Sequence, residues 1–545
     1  MKRELSALEG SEFDLVVVGA GVYGATIAWD AALRGLTVAL IDKGDFGSAT
    51  SFNSLKTAHG GLRYLQHADF RRMRESVRER RTLMRIAPHL VHPLPFFLPT
   101  YHQGLRRRPL LAVAMFLNDL VSFDRNRGAL AEKTLPPGRV VSRKESLSLI
   151  PGIREDGLTG GALWYDAQIA NSDRLTLAFV LSAAQAGAEV ANFVEANGFV
   201  RQGERVKGVR ARDVLGDAEL IIRGRVVVNA SGPWVDRTLE PLEPDERPRL
   251  FRPSRAMNLV TRSILRDVAA GFSSRRNQVL FVVPWREFSL IGTTHAAYDG
   301  SPDDLEAEEE EVRDLLEDIN AAYPPARLER HDVRLVHRGM LPIAAVSNGR
   351  GVTLVKKFQI HDHRAEGVPG LLSIVGVKYT TARDVAERVV DCVFEQLGQG
   401  SPPASRTAGT PVYGGAMETF SELMAQEVQR RPMDLGEETV RHLVGTYGSA
   451  YPHVLRHAEG RSDLALPVAE GSAVTRAEIL HAVREEQAVD LASVVLRRTE
   501  LGSAGHPGRD CLERCAALMA AELGWDDGKR KSEIDHVEAI YRRRS

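Results

Sequence analysis

The stretch FDLVVVGAGVYGATIAWDAALRGLTVALIDK, residues 13–43, decides the fold of this chain. It opens with an apolar run at residues 16–18, which is typical of a buried parallel strand. A segment with helical periodicity follows, and it opens with three glycines at the spacing G-x-G-x-x-G: Gly19, Gly21 and Gly24. A second apolar run, residues 37–41, leads directly to Asp42. This order of strand, turn, helix, strand and acid predicts a βαβ unit.

The βαβ unit also predicts a dinucleotide site. The first glycine permits a tight turn, the second lets the backbone approach a pyrophosphate, and the third lets the helix pack on the strand. The pyrophosphate would lie at the free N–H groups of the helix N-terminus. Asp42 would accept hydrogen bonds from the ribose hydroxyls. Taken alone, this unit fits nicotinamide and flavin dinucleotides equally.

Length and composition narrow the class of protein. A chain of 545 residues suggests two to four domains. With 43% hydrophobic residues and a net charge of −1, it gives no reason to expect a nucleic-acid partner. The cysteines lack disulfide or metal spacing, so we interpret them as packing residues and expect no metal site: Cys392, Cys511 and Cys515. Neither a signal peptide nor a run of about 18 apolar residues is present, which favours a cytoplasmic protein.

A second strand and turn favour a flavin over a nicotinamide. RVVVNASGPWVD, residues 225–236, contains another buried apolar run that ends in small residues. Such a turn fits a binding site at the carboxyl ends of parallel strands. About 180 residues separate this stretch from the first unit, a gap that is rare in nicotinamide enzymes and frequent in flavoproteins. We therefore predict FAD as the cofactor.

The fold class predicted from these patterns is α/β plus α+β. A Rossmann-like FAD-binding domain is expected beside an antiparallel-sheet substrate domain and a C-terminal α-helical domain, because residues 250–360 show strand alternation and 413–545 show helical patterns. The predicted limits are 12–80, 150–240 and 365–398 for the FAD-binding domain, 81–149 and 241–364 for the substrate domain, 399–412 for a linker, and 413–545 for the helical domain.

Residues 105–123, LRRRPLLAVAMFLNDLVSF, allow two interpretations. Arginines precede an apolar run that is far too short to span a bilayer. The segment is either an interfacial helix at a membrane surface or a helix that is buried in the protein or in an oligomer contact such as a homodimer.

Several motifs together resemble the FAD-dependent glycerol-3-phosphate dehydrogenase family, within the glycine oxidase and D-amino-acid oxidase-like flavoproteins. The resemblance covers almost the whole chain. The motifs that carry it are GAGVYGA (19–25), TSFNSLKTAHGGLRYLQH (50–67), VVNASGPWVD (227–236), FVVPW (281–285) with IGTTH (291–295), and GVKYTTAR (376–383). The helical C-terminal piece AVREEQAVDLASVVLRRTELG is also similar to that family. The resemblance also implies peripheral membrane attachment for quinone reduction, because residues 105–123 have a counterpart in that family.

The resemblance assigns cofactor residues by position. The adenine half and pyrophosphate would be held by Gly19, Gly21, Gly24, Asp42, Thr50, Ser51 and Lys56. The isoalloxazine would lie near His59, Gly60, Gly376 and Thr380. Neighbouring residues of the same motifs are expected to contribute contacts: Ala20, Lys43, Gly61, Ala230, Gly232, Lys378 and Tyr379.

The resemblance also implies substrate and catalytic residues. Arg63, Tyr64 and Lys378 match family positions that face the substrate. In the family reaction a base accepts the hydroxyl proton while the carbon-bound hydrogen leaves as hydride to flavin N5. The candidate bases, assisted by Tyr64, are His59, His295 and His361. Arg63, Arg338 and Lys378 would bind an anionic substrate and stabilise the developing alkoxide.

The substrate end departs from the family pattern. The phosphate-binding arginine of a G-x-R-P turn is replaced by Leu341 in RGMLP, residues 338–342. Arg338 would substitute for it if the turn is rebuilt. A second arginine corresponds to Lys356 or Lys357, which supply charge without a bidentate fork. His295 stands where the family has an aspartate.

The resemblance implies an enzyme that oxidises sn-glycerol 3-phosphate, or a related small anionic alcohol, to the ketone. Quinone or another acceptor, including oxygen, would reoxidise the flavin, and the enzyme would be cytoplasmic or peripheral on the inner face of the membrane. Two alternatives stay open. One is an amine, amino-acid or hydroxy-acid oxidase of the same superfamily, and the other is a flavin-binding scaffold whose helical domain serves a partner.

Overall fold

The computed structural model describes residues 1–101, 108–242, 248–275, 278–347 and 351–544. Within these ranges the strands are β1 (Glu12–Val18), β2 (Val38–Ile41), β3 (Thr57–Ala58), β4 (Val91–Tyr101), β5 (Arg139–Ser142), β6 (Leu158–Ile169), β7 (Glu189–Ala191), β8 (Val194–Gln202), β9 (Arg205–Asp213), β10 (Glu219–Asn229), β11 (Pro253–Arg262), β12 (Ala269–Ser273), β13 (Val279–Trp285), β14 (Phe288–Ala297), β15 (Val333–Ser347), β16 (Gly351–Leu354), β17 (Gln359–Asp362) and β18 (Leu371–Val375).

The helices of the same ranges are α1 (Leu5–Glu9), α2 (Val22–Leu33), α3 (Phe70–Ile86), α4 (Arg108–Val121), α5 (Arg143–Leu149), α6 (Ser172–Gln185), α7 (Val235–Leu239), α8 (Glu309–Ala322), α9 (Ala382–Leu397), α10 (Phe420–Arg430), α11 (Glu437–Tyr447), α12 (Tyr451–Leu455), α13 (Arg476–Glu486), α14 (Leu491–Ser493), α15 (Arg509–Leu523) and α16 (Asp527–Arg544). A 3₁₀ segment, Leu62–His67, lies between β3 and α3, and a π-helical turn, Val494–Arg498, follows α14.

The first sheet is built around β1. Its order is β17-β18-β10-β1-β2-β7, and β9 pairs with the outer part of β10 and with β8. The pairs of β1 with β2 and β10, of β2 with β7 and of β10 with β18 are parallel. Helices α6 and α9 pack against α2. Continuous apolar runs form these central strands because both faces of a parallel sheet are buried.

The second sheet is mostly antiparallel. Its order is β16-β15-β11-β14-β13-β12-β4-β6-β3, with β5 added at β6. Helix α8 packs against β12, on a core that includes Phe272 and Tyr323. Together with the helices α10–α16, the two sheets confirm the predicted fold class.

The sheet membership of β6 differs from the predicted domain limits. Residues 150–240 were expected with the first sheet, whereas β6 pairs along its length with β4 and also with β3 and β5. Strand pairing is a contact between distant parts of the chain, and the local periodicity of a strand does not specify its partner. The other domain limits stay predictions.

Buried ion pairs join the C-terminal helices to the first sheet. Asp45 lies in the loop after β2, and Arg497 and Arg498 of the π-helical turn both bind its carboxylate. Arg174 of α6 forms a bidentate pair with Glu486 at the end of α13. The helical region therefore packs directly behind the loop that follows the β1-α2-β2 unit.

Helix α4 places apolar side chains on the surface. Residues 105–107 of the segment discussed above lie outside the described ranges. On and just after α4, large apolar side chains are exposed by half or more: Leu110 52%, Val113 55%, Phe116 68%, Leu120 59% and Phe123 76%. The opposite face packs inward through Met115, which is 2% exposed. Among the described residues, no helix combines the length and the apolar character that crossing a bilayer requires.

Candidate active site

A cavity of about 1230 Å³ is lined by residues of both sheets. This volume exceeds that of typical small-ligand pockets and suits a ligand of dinucleotide size. The predicted cofactor residues that line it are Gly19, Gly21, Asp42, Lys43, Thr50, Ser51, His59, Ala230, Gly232, Gly376, Lys378, Tyr379 and Thr380. The other predicted cofactor residues lie beside or behind the lining: Ala20, Gly24, Lys56, Gly60 and Gly61.

The glycine-rich turn leaves room where a pyrophosphate is expected. Gly19 has φ +99°, and a Cβ there would lie 2.7 Å from the carbonyl oxygen of Ala230. A Cβ at Gly24 would lie 1.7 Å from the carbonyl oxygen of Gly19, so helix and strand approach closely at this glycine. Helix α2 begins after Gly21 without a side-chain cap. The Val22 amide donates to Ser51 Oγ, and the next N–H groups of the helix N-terminus are the ones that suit a phosphate, so the turn fits the pyrophosphate of FAD.

Asp42 is held by the backbone of its own βαβ unit. Its Oδ2 accepts from the Ala20 amide at 2.6 Å, and its Oδ1 accepts from the Gly44 amide at 2.9 Å. Each carboxylate oxygen keeps a second lone pair for a ribose hydroxyl. Burial raises the pKa of Asp42 to about 6, although both amides favour the charged form.

A cluster at the rim joins the two sheets over the same end of the cavity. Lys43 Nζ lies 2.7 Å from Asp303 Oδ1 and 4.2 Å from the ring centre of Trp234. The Trp234 indole donates to the same aspartate at 2.9 Å, and Arg237 pairs with it too. Lys43 is thus paired with Asp303 at the rim of the cavity.

The segment after Asp42 brings hydroxyls to the cavity. Ser51 Oγ accepts from the Val22 amide at 3.0 Å. Thr50 Oγ1 bonds both the amide and the carbonyl of Met340, at 3.1 and 3.2 Å. The predicted contact of Lys56 with the cofactor needs correction. Its side chain is fully buried, donates to Ser172 Oγ at 2.8 Å and lies 3.7 Å from Asp173, so it supports this segment from behind.

His59 is the candidate base that lines the cavity. Its Nε2 lies 2.7 Å from Thr57 Oγ1, and its Nδ1 lies 3.6 Å from Asp166 Oδ2. Its backbone amide donates to Thr380 Oγ1 at 3.2 Å. The loop of His59 therefore contacts the N-terminal region of α9, as expected for two segments that flank one ring.

The other histidine candidates lie elsewhere. His361 is on β17 at the edge of the first sheet and bonds Gln359. His295 is on β14 outside the lining, and burial together with the positive charge of Arg63 lowers its pKa to about 4. Both side chains are consistent with structural roles.

Lys378 lines the cavity and contacts Tyr64. Its Nζ lies 4.0 Å from the ring centre of Tyr64 and 3.4 Å from Ser76 Oγ on α3. Burial lowers the pKa of Lys378 to about 8. Tyr64 also faces the Arg72 guanidinium at 4.7 Å. Its neighbour Arg63 is exposed and lies outside the lining.

The predicted substrate cations separate into two groups. Arg338 is 9% exposed and lines the cavity. Lys356 and Lys357 are exposed and lie outside the lining, and the Lys356 carbonyl accepts from Arg72 at 2.9 Å. Arg338 and Lys378 are therefore the cations that this structure brings to the cavity from the predicted set.

The expected turn at RGMLP is a strand. Residues 338–342 lie within β15 and keep an unbroken register with β11, in which Arg338 pairs with Met257 and Leu341 with Ser254. Arg338 and Leu341 both line the cavity, although side chains three residues apart on a strand point to opposite faces. Arg338 therefore reaches the cavity from its own strand position, without a rebuilt turn.

Sequence reasoning assigned no role to several residues around the cavity. Asp166 of β6 binds the His59 loop, and Asn258 accepts from Thr293 Oγ1 at 2.7 Å within the lining. Trp234 forms part of the rim cluster. A sequence signal existed for Asp166, because an acid in the middle of an apolar strand must find a partner.

Comparisons with known proteins agree with this geometry. The family described as FAD dependent oxidoreductase matches residues 14–392, and the C-terminal domain of alpha-glycerophosphate oxidase matches residues 405–530. A glycerol-3-phosphate dehydrogenase of Synechocystis sp. is 31% identical over 96% of this chain and 95% of its own length. The Mycobacterium leprae enzyme of that name is 33% identical over 98% of this chain and 88% of its own.

A solved structure is similar over nearly the whole fold. It is the glycerol-3-phosphate dehydrogenase of Bacillus halodurans complexed with FAD, with a TM-score of 0.79 and 25% identity, covering 99% of this chain and 96% of that one. The match extends through both sheets and the C-terminal helices. With its glycine-rich turn and cavity, this chain belongs to the FAD-dependent glycerol-3-phosphate dehydrogenase family.

Proposed function

We infer that this chain oxidises the secondary hydroxyl of sn-glycerol 3-phosphate to the ketone of dihydroxyacetone phosphate, with FAD as its bound oxidant. One observation carries the inference: a single cavity combines the glycine-rich turn, His59 and two of the predicted substrate cations, Arg338 and Lys378. Relatives at 31% and 33% identity are named glycerol-3-phosphate dehydrogenases, and they support the substrate.

We propose the following roles for the lining residues. The α2 N-terminus and Asp42 hold the dinucleotide, which supplies a two-electron acceptor when bound. Lys378 and Arg338 bind the anionic end of the substrate, because charge-assisted hydrogen bonds are the strongest available to a phosphate. His59 Nε2 accepts the hydroxyl proton.

An anaerobic substrate panel on the FAD-loaded protein tests the inference. Added sn-glycerol 3-phosphate is expected to bleach the flavin absorbance and to yield dihydroxyacetone phosphate. Glycerol, which lacks the phosphate, is expected to bleach it far more slowly at equal concentration. Bleaching by glycine, sarcosine or a D-amino acid, with none by glycerol 3-phosphate, would assign the chain to amine oxidation instead.

We propose that the exposed face of α4 rests on the inner surface of the cytoplasmic membrane, where a quinone reoxidises the flavin. Leu110, Val113, Phe116 and Leu120 recur at helical spacing, which forms one continuous apolar face. Apolar side chains of this kind can enter the headgroup boundary without spanning the bilayer. The helix also contacts the Leu62–His67 segment, which carries Arg63 and Tyr64.

Vesicle sedimentation tests this surface. The double variant Phe116→Ser/Leu120→Ser should lose binding to vesicles of mixed neutral and anionic phospholipid, while its flavin reduction stays intact. Leu215→Ser is the matched control, because Leu215 is 50% exposed on a different part of the molecule. If the double variant binds vesicles normally but changes a dimer into a monomer, the face is a homodimer contact.

A further inference from the structure

A buried carboxylate lies directly behind His59. Asp166, in the middle of β6, is 3% exposed. Its Oδ1 accepts from the Gly60 amide at 2.5 Å and pairs with Arg80 of α3. Its Oδ2 accepts from the Trp164 indole at 3.2 Å and lies 3.6 Å from His59 Nδ1. Three elements of the fold therefore converge on one carboxylate next to a cavity histidine.

This carboxylate is held in its charged form. Burial alone would favour the neutral acid, but His59, Arg80 and the Gly60 amide keep the pKa of Asp166 below its ordinary value. Gly60 leaves the space that this arrangement needs. A Cβ there would lie 2.3 Å from Arg80 Nη1 and 2.9 Å from Asp166 Oδ1, so a side chain would displace the ion pair.

We propose that Asp166 is a positioning residue for the oxidation, which orients the His59 imidazole and fixes its proton on Nδ1 so that Nε2 is the proton acceptor in the cavity. This inference rests on the proposed function. The inference adds to that function a residue that does not contact the substrate. The carboxylate acts through His59, whose side chain is 45% exposed and faces the cavity.

The geometry supports this role at both ring nitrogens. A charged Asp166 near Nδ1 favours the tautomer that carries hydrogen on that atom, which leaves the Nε2 lone pair toward Thr57 Oγ1 at 2.7 Å. A substrate hydroxyl can replace the Thr57 hydroxyl and transfer its proton to Nε2. Bound FAD would accept the carbon-bound hydrogen together with its electron pair, which balances the step. Asp166 then stabilises the imidazolium without accepting a proton itself.

The described charged groups around this histidine come from three elements. Asp166 on β6 is the acid that faces its ring, and Arg80 on α3 binds that acid from the far side. Lys378, before α9, is one of the cations that line the same cavity. On β4, Phe96 contributes an apolar ring with its centre 6.0 Å from the imidazole. Within this set Asp166 is the group that favours the charged imidazolium.

A double-mutant cycle separates positioning from simple support of the fold. Asp166→Asn and His59→Gln are combined, and the limiting rate of anaerobic flavin reduction by glycerol 3-phosphate is measured from pH 5 to 9. Asp166→Asn should lower the rate about 100-fold, within the range of general-base effects. The double variant should be no more than about twofold slower than His59→Gln, because the two residues act as a unit.

The pH profile gives a second and independent readout. The oxidation needs a proton acceptor, so the rate is expected to rise with pH to a plateau. Asp166→Asn removes the negative charge beside Nδ1 and should move this rising limb to lower pH by about one unit. Trp164→Phe keeps the carboxylate but removes a donor to Oδ2, and should move the limb to higher pH. This variant preserves the test if Asp166→Asn does not fold.

A matched control and clear outcomes complete the test. Asp124→Asn removes another acid that pairs with arginines of α3, but outside the cavity, and should leave rate and profile unchanged. Fully additive losses in the cycle, or pH limbs that do not move in either variant, would overturn the positioning role. If the wild-type protein itself is not reduced by glycerol 3-phosphate, the proposed function fails instead.

Discussion

At the scale of single residues, phosphate binding in the cavity depends on cations that are only partly hydrated. Lys378 lines the cavity, and its Nζ contacts the Tyr64 ring and Ser76 Oγ. Burial lowers the pKa of its ammonium to about 8. A buried ammonium loses hydration but binds a phosphate strongly, because few water molecules compete for it.

Lys378 predicts a pH dependence of substrate affinity. The Lys378 amine is charged below about pH 8 and loses its charge as pH rises through that value. The KM for glycerol 3-phosphate should therefore increase above pH 8. Lys378→Met should raise KM about 10- to 100-fold at pH 7, the cost of one hydrogen bond to a charged group. Steady-state kinetics measure both, with Lys144→Met on exposed α5 as the control. A KM that is unchanged in Lys378→Met would remove this lysine from the site.

Asp42 predicts a pH dependence of cofactor binding. Its carboxylate is charged above about pH 6 and becomes protonated as pH falls below that value. Because the charged form is the stronger acceptor for ribose hydroxyls, the Kd of the apoprotein for FAD should rise below pH 6. Quenching of flavin fluorescence on binding measures this Kd. In Asp42→Ala the acid-dependent rise should disappear and binding should be weak at every pH. An identical profile in both proteins would show that Asp42 does not contact the cofactor.

At the scale of elements, a π-helical turn joins the C-terminal helices to the cofactor loop. In the Val494–Arg498 turn the Thr499 amide bonds the Val494 carbonyl, an i to i−5 bond, and Arg497 and Arg498 reach the same carboxylate of Asp45. Wide turns of this type are frequent at functional sites. Asp45 lies between Gly44 and Gly47, both of which line the cavity.

The Asp45 cluster gives a stability prediction. Arg498→Met leaves a buried carboxylate with one cation fewer, and loss of a buried partner costs about 3–5 kcal/mol of unfolding free energy. The control is Arg484→Met, which breaks an exposed pair with Glu522 and should cost about 0–1 kcal/mol. Chemical denaturation of the holoprotein measures both. Because the loop lines the cavity, Arg498→Met should also weaken FAD binding. Equal costs in the two variants would contradict this account.

The elements also show what local sequence could predict. The β1-α2-β2 unit was predictable because its apolar runs, glycines and acid lie within about 30 residues of each other. The conformation of the RGMLP segment was not predictable from local sequence. The segment is a strand because it pairs with β11, which lies some 80 residues away in the chain. Asp166 was missed for the same reason: its strand joins a sheet with β4, and only that pairing brings it to His59.

At the scale of the whole molecule, the active site belongs to no single part of the chain. The first sheet supplies the dinucleotide turn, the second supplies Arg338 and Asp166, and the C-terminal helices hold the loop between them through Asp45. The cofactor and the fold class could be predicted from short motifs. The placement of His59 at the cavity, with His295 and His361 outside its lining, could not be predicted, because it depends on how the two sheets face each other.

We expect glycerol 3-phosphate to give its C2 hydrogen to FAD held in this cavity. Single-turnover, anaerobic stopped-flow reduction of the holoprotein tests it with substrate deuterated at C2 and with substrate deuterated only at C1 and C3. We predict that flavin bleaching is slower with the C2-deuterated substrate and unchanged with the other. Equal rates for the two substrates would contradict transfer of the C2 hydrogen to FAD. So would a lack of bleaching by either substrate in protein that dithionite reduces normally.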